Sequence, residues 1–231
     1  MTHHSVRPDA PSSVRPQPQR ARTFRWSVSD IVVASTLAVA SGVIFWAWNL
    51  SYHAVGSLFA FYPPVETLVH GMWLFPAVLG ALIIRKPGAA IYCEMVAASV
   101  SALLGSQWGL TVLSSGFMQG LGAELIVLAF LYRRFTVDVA MLAGAGAGLA
   151  GGVTYHWIVP MYAYAPLETA VHIGCFALSG AIIAGLMPWF LTRGLAAAAV
   201  LSPLASRRAH REPALIRRRE GHTEHPASAP R

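Results

Sequence analysis

Long apolar runs alternate with short polar junctions along most of this chain. Each run is about 20 residues long, the length that an α-helix needs to cross roughly 30 Å of hydrocarbon. A large soluble core would instead show shorter amphipathic segments. The pattern therefore predicts an all-α integral membrane protein, a six-transmembrane-helix bundle. The predicted helices lie at residues 28–50, 66–84, 88–106, 112–132, 138–158 and 168–192.

The two ends of the chain differ in composition from this central part. Residues 1–25 are rich in Pro, Ser, Gln and Arg, and residues 194–231 are first Ala-rich and then Arg-rich. Neither end can bury a core, so we expect two mostly disordered tails around a membrane domain at residues 26–193. The first apolar run contains a stretch that resembles a signal-peptide cleavage site, but the run continues to about residue 50, which favours a retained helix.

The charged residues are few and unevenly placed. The 231 residues are 55% hydrophobic and 12% charged, and the formal net charge is +7. The basic residues lie in the tails and in two junctions, Arg85–Lys86 and Arg133–Arg134, whereas the other three connections contain no Lys or Arg. Cytoplasmic loops are enriched in Lys and Arg, so both termini are predicted to be cytoplasmic. This distribution is typical of an orientation signal and not of a nucleic-acid-binding surface.

Two glutamates lie well inside the predicted helices. Glu94 is about 9 Å and Glu124 about 12 Å from the cytoplasmic ends of their helices, at 1.5 Å per residue. A charged acid at such a depth costs at least ~2.5 kcal/mol, and no Lys or Arg lies at that depth in any predicted helix. The partner of each acid must then be a neutral donor, a proton or a bound ligand. Both glutamates are therefore candidates for a functional site.

Four other acids lie at predicted helix starts, where a carboxylate interacts favourably with the helix dipole. Asp30 and Asp138 are interpreted as structural caps. Glu66 and Glu168 each precede a histidine by four residues, a spacing that places both side chains on one face of an α-helix. Such a pair allows a metal site but is more often a hydrogen-bonded pair. The two pairs are Glu66/His70 and Glu168/His172.

Small residues repeat at four-residue spacing on two predicted helices. In lipid, close packing of small residues is what brings helix backbones together. Each repeat therefore predicts a helix contact, either within the bundle or with another protein. The two faces are Ala34, Ala38 and Gly42 on the first helix and Gly144, Gly148 and Gly152 on the fifth.

Motifs for enzyme chemistry are missing from the sequence. It contains no convincing Ser/His/Asp set, no HExxH motif and no GxxxxGK[ST] phosphate-binding loop. Cys93 and Cys175 both lie inside apolar runs and are interpreted as packing residues. We therefore expect a protein that is not an enzyme, and if it drives transport, its ATPase is on other chains.

Three stretches, taken in order, resemble one known family. The sequences "RKPGAAIYCEMVAASVSALLG", "QGLGAE" and "YAYAP" resemble the YkoE family, substrate-binding S components of energy-coupling-factor (ECF) transporters that are assigned to thiamine or its hydroxymethylpyrimidine precursor. The resemblance covers about residues 28–192. It implies a six-helix membrane protein with an outward-facing pocket, a transmembrane T component and cytoplasmic ABC ATPases as partners, and no cofactor.

The resemblance also implies which residues bind the ligand. Aromatic faces bind cations and stack on flat rings, and carboxylates hydrogen-bond an aminopyrimidine edge. Glu66, Tyr155 and Tyr164 lie nearer the outer side than Glu94 and are expected to be better placed for direct contact. The matching positions are Glu66, Trp73, Glu94, Gln119, Glu124, Tyr155 and Tyr164, and further candidates are Trp108, His156 and His172.

Two further expectations follow from the resemblance. An acidic residue is expected at the position of His156, so its replacement would favour the neutral pyrimidine over thiamine. The small face of the first helix, at Ala34, Ala38 and Gly42, is expected to dock the T component, with packing inside the bundle as the alternative. No metal site is expected, but an S component for a transition metal or another vitamin, or an intramembrane enzyme using Glu94 and Glu124, remains an alternative.

Overall fold

The computed structural model describes residues 24–158 and 163–197, and the described part of the chain is helical without β-strands. The predicted tails lie outside the described residues, except for the few positions next to the membrane domain. Two 3₁₀ segments, Ser57–Phe59 and Pro63–Trp73, and two π-helical segments, Thr154–Ile158 and Gly180–Leu186, accompany the α-helices. The α-helices are α1 (Val28–Gly56), α2 (Phe75–Ile84), α3 (Ala89–Leu103), α4 (Thr111–Ala129), α5 (Val137–Val153), α6 (Pro166–Ser179) and α7 (Met187–Ala197).

Five helical segments are long and apolar enough to cross a membrane, among the residues that the structure describes. They confirm an integral membrane helical bundle. The remaining predicted span is α3, which has 15 residues and is shorter than the roughly 20 residues of a typical span. The count of six spans and the cytoplasmic termini stay predictions. The five segments are Val28–Phe59, Pro63–Ile84, Thr111–Ala129, Val137–Trp157 and Pro166–Ala197.

The second predicted helix is not one continuous α-helix. Its first half, Pro63–Trp73, is a 3₁₀ helix, and α2 begins at Phe75 after a break at Leu74. Pro76 explains the position of the break, because a proline lacks a backbone N–H and its ring clashes with the carbonyl four residues earlier. Proline is tolerated only in the first turn of an α-helix, which is where α2 places it. The N-terminus of α2 therefore lies inside the bundle.

Helix α2 forms the centre of the bundle. All of its residues from Phe75 to Ile84 are buried. Ser179 connects the preceding 3₁₀ segment to α6, because its hydroxyl donates to the carbonyl of Leu68 at 2.6 Å and accepts from the N–H of Gly71 at 2.8 Å. The segments before and after the break are thus both fixed by neighbouring helices.

The small face of α5 makes the contact that its spacing predicts. A Cβ atom added to Gly144 would clash with the backbone of Gly180, and one added to Gly148 would clash with the carbonyl of Phe176. Backbones of α5 and of the segment from α6 into its π-helical extension therefore touch directly. The prediction of a helix contact through these glycines is confirmed, and the partner lies within the bundle.

The small face of α1 also packs inside the bundle, which corrects the expectation that it docks a partner. Ala34 and Ala38 are fully buried, and a Cβ atom on Gly42 would lie 2.7 Å from the carbonyl oxygen of Ala97 on α3. Close approach of α1 to α3 leaves these three residues no surface that a second protein can touch. The predicted face is real, and its partner is α3.

The acids at the starts of α1 and α5 occupy structural positions. Asp30 accepts from the backbone N–H and the hydroxyl of Ser27 and forms an ion pair with Lys86. Asp138 lies 3.8 Å from the guanidinium of Arg134 on the exposed surface. Asp30 therefore fastens the start of α1 to the junction between α2 and α3, whereas the Asp138 pair is exposed and contributes little.

Gly42→Leu is predicted to destabilise the protein. The new side chain must displace α3, and overpacking of this kind costs about 1–3 kcal/mol. Thermal unfolding of the purified protein in detergent measures the effect. Val43→Leu is the matched control, because Val43 is the next residue of the same helix and is 47% exposed. An unchanged midpoint for Gly42→Leu would contradict the internal packing of this face.

Candidate functional site

Glu94 is stabilised inside the bundle by the N-terminus of a helix. It is fully buried on α3, and its Oε2 accepts a hydrogen bond of 2.9 Å from the backbone N–H of Ala77 in the first turn of α2. The first N–H groups of a helix have no partner within the helix, and the N-terminal end of its dipole attracts negative charge. The carboxylate and the interrupted helix therefore satisfy each other. Neither of the two ion pairs among the described residues involves Glu94.

Glu124 binds the N-terminus of α3 in the way that Glu94 binds that of α2. Its Oε1 accepts from the N–H of Gly88 at 2.7 Å and from the hydroxyl of Tyr132 at 2.6 Å, and its Oε2 accepts from the N–H of Ala90 at 2.9 Å. Burial, together with the hydrogen bond to Glu124, raises the pKa of Tyr132, which keeps the phenol protonated as a donor. Glu124 is thus fully engaged in holding the start of α3 and the turn after α4.

A cavity opens between α1, the 3₁₀ segment Pro63–Trp73, α3, α4 and the π-helical segment Thr154–Ile158. The empty space within it is about 580 Å³, which includes the open region at its mouth. It lies toward the end of the bundle where α1 ends and α4 begins, which we call the neutral end because its connections contain no Lys or Arg. The lining residues are Phe45, Asn49, His70, Trp73, Glu94, Ala98, Ser101, Ser106, Trp108, Thr111, Val112, Ser115, Gly116, Gln119 and Tyr155.

Glu94 gives this cavity its one acidic group. Oε2 is used by Ala77, whereas the buried Oε1 has no hydrogen-bond partner. Glycine at position 120 lets α4 approach α3 closely beside Glu94, because a Cβ atom on Gly120 would lie 3.2 Å from the Cβ of Glu94. Gln119 lines the same cavity and donates a long hydrogen bond of 3.5 Å to the hydroxyl of Tyr155. An unpaired buried acceptor in a cavity is a position where a ligand donor would be stabilised.

Asn49 organises the polar side of the cavity. Its Oδ1 accepts from the indole N–H of Trp73 at 3.0 Å, and its amide donates to the hydroxyls of Ser101 at 3.2 Å and Ser106 at 3.3 Å. Trp73 also packs edge-on against Trp108, with ring centroids 6.5 Å apart. The Trp73 indole is therefore held by a hydrogen bond and by its aromatic contact with Trp108, and the two rings form an aromatic wall of the cavity.

Glu66 does not line the cavity, but Tyr52 of α1 connects it to the lining residue His70. It accepts a hydrogen bond from the hydroxyl of Tyr52, and the same hydroxyl lies 2.9 Å from Nε2 of His70. The expected pairing of Glu66 with His70 is therefore indirect. The reason is that this segment is a 3₁₀ helix, in which residues four apart diverge by about 120° instead of sharing a face. Tyr52 fills the gap between them.

A second cluster surrounds His172 on α6, whose ring is 6.5 Å from that of His70. Nε2 of His156 is 3.2 Å from Nδ1 of His172, and the ring of Tyr164 is 5.5 Å from that of His172. Burial, together with the carboxylates of Glu66 and Glu168, raises the pKa of Tyr164. Glu168 accepts from the N–H of Ala165 at 3.0 Å and thus caps its own helix. Among residues 24–158 and 163–197, no group of three or more His, Cys, Asp or Glu is arranged to hold a metal ion.

The structure brings half of the predicted site residues to one place. Trp73, Glu94, Trp108, Gln119 and Tyr155 line the cavity. The other five lie elsewhere. Glu124 on α4 contacts the start of α3, Glu66 lies beside Tyr52, and the second cluster contains His156, Tyr164 and His172. Their roles toward a ligand stay predictions.

Ten lining residues were not among the predicted site residues, and Asn49 and His70 are two of them with buried polar side chains. Asn49 is a buried amide inside an apolar run, and that exception to the hydrophobic pattern is a signal comparable to that of Glu94. His70 was considered only as half of a pair with Glu66. Its place in the cavity depends on the 3₁₀ geometry, which the sequence did not reveal.

Comparisons with known proteins identify the family of this chain. Residues 29–150 match the family described as "ABC-type cobalt transport system, permease component". The chain is 32% identical to the "Putative HMP/thiamine permease protein YkoE" of Bacillus subtilis (strain 168) over 180 residues. The aligned region covers 78% of this chain and 89% of the relative. A solved structure, "Crystal structure of an S-component of ECF transporter", aligns with a TM-score of 0.76 and 30% identity over 88% of this chain and 100% of that chain.

This helical membrane bundle matches such a structure over 88% of its length and is an S component of an ECF transporter. It is a transport protein and not an enzyme. The curated relative narrows the class further. This chain belongs to the YkoE family of S components.

Glu124→Ala is predicted to destabilise the bundle without touching the cavity. The substitution leaves the N–H groups of Gly88 and Ala90 and the buried hydroxyl of Tyr132 without their acceptor. Hydrogen bonds to a charged group contribute about 1.5–3 kcal/mol each, so a loss on the order of 3 kcal/mol is expected. Thermal unfolding in detergent checks this. Tyr132→Phe is the partial control and should cost less, because it removes a single donor. Equal stability of wild type and Glu124→Ala would contradict the capping role.

Proposed function

We propose that this protein captures thiamine or its hydroxymethylpyrimidine precursor in the cavity at the neutral end of the bundle. It works as the substrate-binding subunit of an importer in which a transmembrane T component and cytoplasmic ABC ATPases drive uptake. The name of the relative from Bacillus subtilis, an HMP/thiamine permease, supports this ligand class. The cytoplasmic location of both termini belongs to the same proposal, because the basic junctions would then lie on the side of the ATPases.

The observation that carries the proposal is the free oxygen of Glu94 inside an aromatic cavity. An aminopyrimidine carries an exocyclic amino group, and a carboxylate oxygen is a strong acceptor for its N–H. Because Oε2 of Glu94 is fixed by the N–H of Ala77, Oε1 is held in one direction. The ligand therefore meets a preoriented acceptor, which reduces the entropy lost on binding.

The aromatic wall supports the same ligand class. Flat heteroaromatic rings stack on indole and phenol faces, and a cationic thiazolium is attracted to them as well. Trp73, Trp108 and Tyr155 all line the cavity. Tyr155 is itself supported from behind by Phe176, whose ring is nearly parallel to it at a centroid distance of 6.0 Å. Binding should therefore bring the ligand ring within quenching distance of tryptophan.

The proposal predicts that Glu94→Gln separates ligand binding from stability. A glutamine oxygen can still accept from Ala77, so the cap on α2 remains and the melting temperature should change little. The second position becomes an NH₂ donor facing the amino group of the ligand, so affinity should fall at least ten-fold, about 1.4 kcal/mol or more. Titration of hydroxymethylpyrimidine and thiamine, followed by tryptophan fluorescence, measures the loss.

Two further variants complete this experiment. Glu94→Ala removes the cap as well and should lower both affinity and stability, since losing a helix N-cap costs about 1 kcal/mol. Glu168→Gln changes a carboxylate that caps its own helix away from the cavity and should leave binding unchanged. If wild type binds neither compound, or if Glu94→Gln binds both as tightly as wild type, the proposed site is wrong.

A further inference from the structure

A chain of three hydrogen-bonded side chains connects Glu66 to the cavity. Glu66 accepts from the hydroxyl of Tyr52, and that hydroxyl lies 2.9 Å from Nε2 of His70. His70 is 4% exposed and lines the cavity, and its other ring nitrogen, Nδ1, is buried without a hydrogen-bond partner. The series of hydrogen bonds therefore ends at Nδ1 of His70, an unsatisfied polar atom on a side chain that lines the candidate ligand site.

Counting protons along this chain fixes the state of the imidazole. A carboxylate only accepts, so the single hydroxyl proton of Tyr52 is directed to Glu66. The hydrogen bond between Tyr52 and His70 then needs its proton from His70, which makes Nε2 the N–H side of the ring. In a neutral imidazole the other nitrogen is an acceptor, so Nδ1 carries a free lone pair.

We infer that His70 is a ligand-contacting residue that accepts a hydrogen bond through Nδ1, and that Glu66 sets this state from a distance through Tyr52. The inference rests on the proposed function and deepens it. The cavity then offers two buried acceptors, Oε1 of Glu94 and Nδ1 of His70, and a fitting ligand is a flat ring with at least two donors. The amino and hydroxymethyl groups of the pyrimidine supply such donors.

The other glutamate–histidine pair of the same spacing lacks this arrangement. On α6, Glu168 is engaged by the N–H of Ala165, and Nδ1 of His172 faces His156 at 3.2 Å. Neither Glu168 nor His172 lines the cavity. The two pairs look alike in the sequence, but in the structure one leads into the cavity through Tyr52 and the other does not. Glu168 is therefore a matched control for Glu66.

Two substitutions of His70 separate its two ring nitrogens. An asparagine places its amide oxygen near the position of Nδ1, whereas a glutamine reaches the position of Nε2. Both lose the imidazole ring, so the loss of packing is shared. His70→Asn should retain most of the affinity for hydroxymethylpyrimidine, and His70→Gln should bind roughly three- to ten-fold more weakly, as expected for one lost hydrogen bond. Equal affinities of the two variants would overturn the assignment of Nδ1.

The state of the ring is measured directly by ¹⁵N NMR of the full-length protein labelled on histidine, with the His70 signals identified by their loss in His70→Asn. In wild type, Nε2 should be protonated and Nδ1 should be bare, and the Nδ1 shift should move when hydroxymethylpyrimidine is added. In Glu66→Leu the proton of Tyr52 is free to turn to Nε2, so Nδ1 should become protonated and affinity should fall about ten-fold. Glu168→Leu should leave the His70 signals and the affinity unchanged.

These measurements also separate this inference from the proposed function. If neither pyrimidine nor thiamine binds wild type, the proposed function fails, while the protonation of His70 in the free protein can still be determined. If the ligand binds and depends on Glu94, but Nδ1 is protonated in wild type or its shift does not respond to ligand, the role of His70 is wrong and the proposed function stands. Tyr52→Phe adds an independent check, because it removes the acceptor that selects the Nε2–H form.

Discussion

The hydrogen bond between the Glu94 carboxylate and the backbone of Ala77 is the contact around which the site is built. A helix that begins inside a membrane leaves N–H groups with no water to satisfy them, and a buried carboxylate leaves a charge with no counter-ion. Each of these costs several kcal/mol alone. Placed together, the helix N-terminus and the carboxylate remove each other's cost. The broken helix and the buried acid therefore stabilise each other.

The same solution is used twice, and the two uses are connected. Glu124 on α4 holds the first turn of α3, and Glu94, less than two turns further along α3, holds the first turn of α2. The direction of Oε1 in the cavity thus depends on a residue that lies outside the cavity. Glu124 therefore supports the helix that carries Glu94, although its own oxygens are fully used and do not face the cavity. This connection explains how three helices keep a preformed shape around an open space in lipid.

Several features of the fold could be predicted because they depend on composition along the chain. The apolar runs marked the helices, and the absence of basic residues at that depth identified Glu94 and Glu124 as unusual. The small faces on α1 and α5 marked close contacts, although the sequence could not say which helix each one meets. Which helix a small face meets depends on tertiary packing. The neighbour of Gly42 is α3, where Ala97 and Val100 leave room only for the hydrogen atom of a glycine.

What the sequence concealed was the local geometry near Pro76. A continuous α-helix over residues 66–84 places Glu66 and His70 on one face as a direct pair. In the 3₁₀ segment the two side chains point apart, and Tyr52 of α1 lies between them. His70 lines the cavity, whereas Glu66 remains outside it. A single proline thus has two effects. It opens the helix end that Glu94 caps, and it limits α2 to the residues after the break, leaving the histidine on the 3₁₀ segment. The polar character of the cavity follows from where α2 begins as much as from which polar residues the chain contains.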